Sequence, residues 1–187
     1  LNPIAESGGQ GRARRLLSWA LGGIFARETV ACSARRDFGM VSGAFFLYNR
    51  QVGDNPLKGG AAVPKERIGI MGGSFNPIHD RHMEIAACAK REQKLDRVIF
   101  LPAGNPPHKH DGLADAEYRY EMTRLAVSGM QGFSVSRMEI EREGVTYTVD
   151  TLTKLQKQMP GAELYYLIGE DTLFDLRNWR RPEKVFT

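Results

Sequence analysis

The chain has 187 residues, 42% of them apolar and 26% charged, which fits an ordinary globular domain and excludes wholesale disorder or collagen-like repetition. Two cysteines, Cys32 and Cys88, are too few for a disulfide framework and form no C-x-x-C zinc spacing. The longest apolar run, around Leu16 to Ala26, is far short of the roughly 20 residues of a spanning helix. The remaining feature is charge: 26 basic against 22 acidic residues give +4, a balance that raises nucleic-acid binding until the charge is located.

Location answers the question. Residues 1–66 hold nine basic and five acidic side chains, so the whole excess of +4 lies there, and residues 67–187 are balanced at 17 against 17. In the first segment Gly8-Gly9, Gly22-Gly23, Gly53 and Gly59-Gly60 interrupt any period. Arg12 to Arg15, then Leu16 to Ala26, then Ala31-Cys32-Ser33-Ala34 imitate a secretory signal peptide. The rest of the chain reads as cytosolic, so the expectation is a marginally ordered extension without assigned function. A domain boundary is expected before Arg67. No nucleic-acid or membrane partner is expected for the balanced part.

From Arg67 onward strands and helices alternate. Arg67 to Met71 is a short apolar run ended by Gly72-Gly73, the form of a buried strand. Met83 to Lys94, with Ile85, Ala86 and Ala89 on one face, predicts a helix. Arg97 to Leu101 predicts a second strand, closed by Pro102 and a loop through Pro106-Pro107. Asp115 can cap a helix to about Met130, with Tyr118, Met122, Leu125 and Ala126 at helical spacing. Phe133 to Ile140 alternates as a third strand. Thr148 to Gln158 reads as a helix stopped by Pro160-Gly161, and Leu164 to Ile168 as a fourth strand ended by Gly169. This alternation means an α/β fold with a parallel sheet covered on both faces. Ligands of such sheets bind beyond the carboxyl ends of the strands, so the loops there hold the informative residues.

The loop after the first strand reads Gly72-Gly73-Ser74-Phe75-Asn76-Pro77-Ile78-His79-Asp80-Arg81-His82. It is neither a Walker A loop nor G-x-G-x-x-G. Its glycines let backbone N–H groups approach an anion, and the following helix aims its positive end at the same place. His79 and His82, three apart at the start of that helix, can both face a phosphate pocket. The remaining two histidines fall in Pro106-Pro107-His108-Lys109-His110, a stiff turn presenting cations that also reads as a solvated loop. The segment from Glu141 through Tyr147 and Thr148 to Thr151 reads as a charged loop leading into a helix. In Gly169-Glu170-Asp171 the aspartate can be a helix N-cap.

The string Gly-Gly-Ser-Phe-Asn-Pro-Ile-His-x-x-His resembles the signature of the nucleotidylyltransferase superfamily, and within it the bacterial nicotinate-nucleotide adenylyltransferases. The resemblance covers about residues 67–187. It implies a Rossmann-like fold and transfer of the adenylyl group of ATP to nicotinate mononucleotide, with Mg²⁺ carried by the triphosphate. It implies His79 and His82 as stabilisers of the transition state, and Gly72, Gly73, Ser74, Phe75, Gly169 and Asp171 as ATP-binding residues. For nicotinate mononucleotide it implies Lys109 as phosphate clamp with His108 beside it, and Tyr147, Thr148 and Trp179 around the pyridine ring. Leu173, Leu176 and Trp179 match the family spacing after Ile-Gly-x-Asp.

Two departures stand out. Arg81 sits where the family usually has glycine between its histidines. The family also continues with a Ser-Ser/Thr-x-x-Arg type motif that nothing up to Thr187 matches, so the chain is expected to be truncated at its C-terminus. Other readings are a phosphopantetheine-type adenylyltransferase, a non-catalytic nucleotide-binding module, and a nucleic-acid binder resting on the extension alone. Homo-oligomerisation is left open.

Overall fold

A computed structural model describes residues 65–107, 112–169, 172 and 175–185, together with the backbone of two strands at 29–32 and 44–49. The strands are β1 (Thr29–Cys32), β2 (Ala44–Asn49), β3 (Arg67–Gly73), β4 (Arg97–Pro102), β5 (Phe133–Val135) and β6 (Glu163–Gly169). The helices are α1 (Asp80–Glu92), α2 (Ala116–Ala126), α3 (Thr148–Gln158) and a short α4 (Pro182–Val185), with a 3₁₀ turn at Leu176–Asn178. The six strands form one sheet in the order β1-β2-β6-β3-β4-β5. The four strands β6, β3, β4 and β5 are parallel, as the alternation predicts.

The apolar runs are continuous because both faces of these strands are covered. Ile68 and Ile70 of β3, Ile99 and Leu101 of β4, and Leu164, Tyr166 and Ile168 of β6 pack with Val149, Leu152 and Leu155 of α3. The intervening residues Met71, Val98, Phe100, Tyr165 and Leu167 point to the opposite face, against Ala86 and Ala89 of α1 and Val127 after α2. Small residues on α1 let that helix lie close to the sheet. Its ends also suit the helix dipole, with Asp80 in the first turn and Lys90 and Arg91 in the last.

Topology places the site. The chain steps outward from β3 through β4 to β5, then crosses back to lay β6 on the other side of β3. At that reversal the loops leaving β3 and β6 diverge to opposite faces and open a crevice at the strand ends.

Three expectations need correction. The third strand stops at Val135 rather than Ile140. Ser136 makes the last ladder bond, its N–H to the Phe100 carbonyl at 2.9 Å, and its hydroxyl then accepts the Met138 N–H at 3.2 Å and turns the chain. The apolar positions Met138 and Ile140 continue the alternation in sequence only.

The second correction concerns α2. Asp115 caps it as expected, accepting the Glu117 N–H at 2.8 Å. The helix ends at Ala126, however, and its predicted apolar face is the wrong one: Tyr118 is 72% and Leu125 63% exposed, whereas Arg119 and Thr123 are buried. Arg119 turns inward because three main-chain carbonyls wait there, donated to by Nε (Ala114, 2.8 Å), Nη1 (Ser74, 2.8 Å) and Nη2 (Gly104, 3.2 Å).

The third concerns residues 1–66, where no strand is legible. The backbone of β1 and β2 forms an antiparallel pair, and β2 extends the sheet antiparallel to β6, with Phe46 opposite Leu167. The rest of the signal-peptide-like run lies outside the described residues. Among the described residues no helix is long and apolar enough to cross a membrane.

Leu152 is 1% exposed between α3 and the sheet. Leu152→Ala is expected to lower unfolding free energy by about 2–5 kcal/mol, measured by the shift in denaturant midpoint.

Candidate active site

At the crevice lies a cavity of about 900 Å³, at the upper end of the roughly 300–1,000 Å³ typical of small-molecule sites. Its walls come from the loop after β3, the start of α1, the loop after β4, the turn before α3 and the segment after β6. Of the residues singled out in the sequence, Gly72, Gly73, Ser74, Phe75, His79, His82, Tyr147, Thr148, Gly169 and Trp179 all line it. His108, Lys109 and Asp171 lie outside the described residues.

Part of the cavity wall is built on the start of α1. His79 is the N-cap in extended conformation, and His82 sits one turn on, the two rings stacked with centroids 3.8 Å apart. The His79 N–H donates to Nδ1 of His82 at 3.3 Å. With Nδ1 an acceptor, the neutral ring carries its proton on Nε2, so His82 presents a donor there. Arg81, between them, also borders the cavity.

The preceding loop is held by packing. Phe75 is buried with φ +44°, a left-handed conformation that is strained for an aromatic residue. Its ring meets His82 edge-on at 5.1 Å and Phe100 at 5.7 Å. Strain in the backbone is thus offset by burial of the ring, and the ring fixes the histidine. Gly72 is required for a different reason: a side-chain carbon there would collide with the Tyr166 hydroxyl.

Another part of the wall is aromatic. Trp179 meets Tyr166 edge-on at 5.9 Å, and Tyr147 lies beneath the Arg180 guanidinium, 4.6 Å from carbon to ring centroid. Arg180 also approaches Asp150 at 3.7 Å. Complete burial raises the Tyr166 pKa well above its usual value, opposed by a hydrogen bond with Thr148, so the phenol keeps its proton at neutral pH.

Glu139 also lines the cavity and is buried. Thr151 Oγ1 donates to its Oε1 at 2.8 Å. Desolvation raises its pKa, against the hydrogen bonds from Thr151 and Thr146 and the charge of Arg142. Glu139, Tyr166 and Arg180 escape a reading of the sequence, because each looks like an ordinary member of a strand or a charged turn. Only the presence of a carboxylate in an alternating run hints at Glu139. Among the described residues no group of three His, Cys, Asp or Glu is arranged to hold a metal ion.

Against known proteins, the family model described as cytidylyltransferase-like matches residues 70–187. The chain belongs to the cytidylyltransferase-like family. The matched span runs from β3 to the end of the chain and contains every segment that lines the cavity, leaving out β1 and β2. Among relatives, the chain is 48% identical over 120 residues to a probable nicotinate-nucleotide adenylyltransferase of Lachnoclostridium phytofermentans, a stretch covering 64% of this chain and 60% of that one. It is 47% identical over 116 residues to the Moorella thermoacetica protein of the same name, covering 61% and 54%. It therefore spans little more than half the length of these relatives. Nicotinic acid mononucleotide adenylyltransferase of Plasmodium falciparum, solved with NaAD, shares the fold at TM-score 0.57 and 20% identity, covering 64% of this chain and 60% of that one.

In this cytidylyltransferase-like site Glu139 supplies a pH test. Its folded pKa lies above the ordinary value of 4.5, so the stability linked to it is present below that value and lost as pH rises through the folded pKa. Glu139→Gln removes this loss. The stability difference between variant and parent is expected to move in favour of the variant between about pH 4 and about pH 8, read from denaturant unfolding at both.

Proposed function

We propose that the protein is a nicotinate-nucleotide adenylyltransferase, joining ATP and nicotinate mononucleotide to nicotinate adenine dinucleotide and pyrophosphate. The observation that carries this reading is the lining of one cavity: stacked His79 and His82 at a helix start, together with Trp179 and Tyr147. The relatives' names support the same reaction, and the first-loop string supports the same superfamily.

In the reaction a phosphate oxygen of the mononucleotide attacks the α-phosphorus of ATP in line. The bond to the β-phosphate bridging oxygen breaks, and pyrophosphate leaves with the electron pair. Such transfers need positioning and charge neutralisation rather than a covalent enzyme intermediate. His79 and His82 donate to phosphate oxygens as charge moves towards the leaving group. Gly72 and Gly73 allow close approach of the backbone, and Ser74 and Phe75 complete the ATP side. Gly169 and Asp171 serve the adenosine, Asp171 through ribose hydroxyls. Lys109, with His108, clamps the mononucleotide phosphate. Tyr147, Thr148 and Trp179 hold the pyridine ring by stacking and by its carboxylate. Mg²⁺ enters with the triphosphate as part of the substrate. Residues 67–187 carry this chemistry, residues 1–66 have no assigned part in it, and the reaction is assigned to the cytoplasm.

The test is pyrophosphate release by the protein expressed from its complete coding sequence, with ATP and alternative acceptors. Nicotinate mononucleotide is expected to be preferred; preference for phosphopantetheine overturns the substrate, and binding without turnover of any acceptor overturns the enzyme. His79→Ala is expected to lower kcat by roughly 10²–10³, the range for loss of one preorganised donor, with little change in the unfolding midpoint. Unaltered turnover rejects the catalytic role of His79.

A further inference from the structure

We propose that Arg119 is a positioning residue for the transfer step, setting the ATP-side loop against the acceptor-side loop. Its own side chain does not line the cavity. Arg119 is 1% exposed, and its guanidinium donates to carbonyls on three stretches of backbone, one of them at Ser74 in the cavity wall. Ser74 belongs to the loop after β3 that leads to the histidines, and it lines the cavity. Gly104 and Ala114 are the two ends of the segment that carries Pro106 and Pro107, both in the cavity wall. One rigid planar group therefore closes the base of the acceptor-side segment and ties it to the ATP-side loop.

Neighbouring contacts make the junction tight. Asn76 Nδ2 donates to the Gly112 carbonyl at 2.9 Å, and the Ala114 N–H donates to Asn76 Oδ1 at 3.1 Å. Gly104 lies so near the Glu139 carbonyl that no side chain fits between them. The Asn105 carbonyl accepts the Thr146 N–H at 3.0 Å, which carries the linkage on to the turn that bears Tyr147. Two of the carbonyls Arg119 satisfies, Ser74 and Gly104, lie just past strand ends, beyond the last ladder rung, and the third, Ala114, just before the N-cap of α2. A buried cation is destabilising unless such dipoles surround it, so the guanidinium and the loop arrangement stabilise each other.

The consequence is specific to arginine. Three divergent acceptors match the fork of a guanidinium, and the single ammonium of lysine cannot reach all three in one plane. When two reactants must align within about an ångström, misplacement lowers the rate by up to ~10² without weakening either substrate's own contacts. Loss of Arg119 therefore falls on kcat rather than on either KM.

This inference rests on the adenylyl-transfer reading, and the experiment separates the two. Arg119→Lys and Arg119→Ala are assayed with the complete protein, with kcat expressed per folded molecule from the unfolding curve of each variant. Arg119→Lys is expected to lose roughly 30- to 100-fold in kcat, with both KM values within about threefold of the parent. Added guanidinium ion is expected to restore part of the loss in Arg119→Ala, and amide exchange in peptides spanning 72–78 and 103–116 is expected to quicken in both. A parent that fails to turn over ATP and nicotinate mononucleotide refutes the proposed function, whereas the exchange pattern still tests the clamp. An active parent whose Arg119→Lys variant keeps its kcat per folded molecule refutes the positioning role. If Arg119→Ala does not fold, Arg119→Lys and its exchange pattern decide the matter.

Discussion

The site depends on a buried guanidinium that donates its hydrogen bonds to loop carbonyls. A parallel sheet satisfies its own backbone up to the last rung of each ladder, and beyond that rung every carbonyl needs another partner. Here the loops after β3 and β4 run side by side, and Arg119 supplies one donor to each and a third to the start of α2. Burial lowers the pKa of this arginine, and the charge of Asp115 opposes the shift. The cost of burying the cation ties the loops to one arrangement, since any opening leaves both the cation and the carbonyls unsatisfied.

Around that junction the molecule divides its work by face. Alternate residues of β3, β4 and β6 supply two apolar layers, one under α3 and one under α1 and α2. The crossover that brings β6 beside β3 opens the crevice at their carboxyl ends, and each wall of the cavity is an extension of a strand fixed by those layers. Local strain is confined to the same place. Phe75 adopts a positive φ while its ring packs between Phe100 and His82, so a core contact and a site contact are made by one side chain.

Much of this was legible in the residues. The runs at Arg67 to Met71, Arg97 to Leu101 and Leu164 to Ile168 read as doubly buried strands, and the two-histidine loop falls at a helix start in the cavity wall. The third strand misled because Met138 and Ile140 keep the alternation after Ser136 has turned the backbone. The face of α2 misled for a deeper reason. Apolar periodicity selected Tyr118 and Leu125, but a buried arginine obeys the positions of carbonyls far away in sequence, which no local pattern encodes.

The sequence by itself determined the α/β alternation, the placing of the two-histidine loop after the first strand of that alternation, and the neutral balance of residues 67–187 against the basic first third. These follow from hydrophobic period and residue type, which act over a few neighbours. The tertiary structure alone decided that Arg119 points inward, that Glu139, Tyr166 and Arg180 border the cavity, and that β2 lines up beside β6. Those outcomes depend on burial and on hydrogen-bond partners brought together from distant segments, and such partners exist only once the sheet has formed.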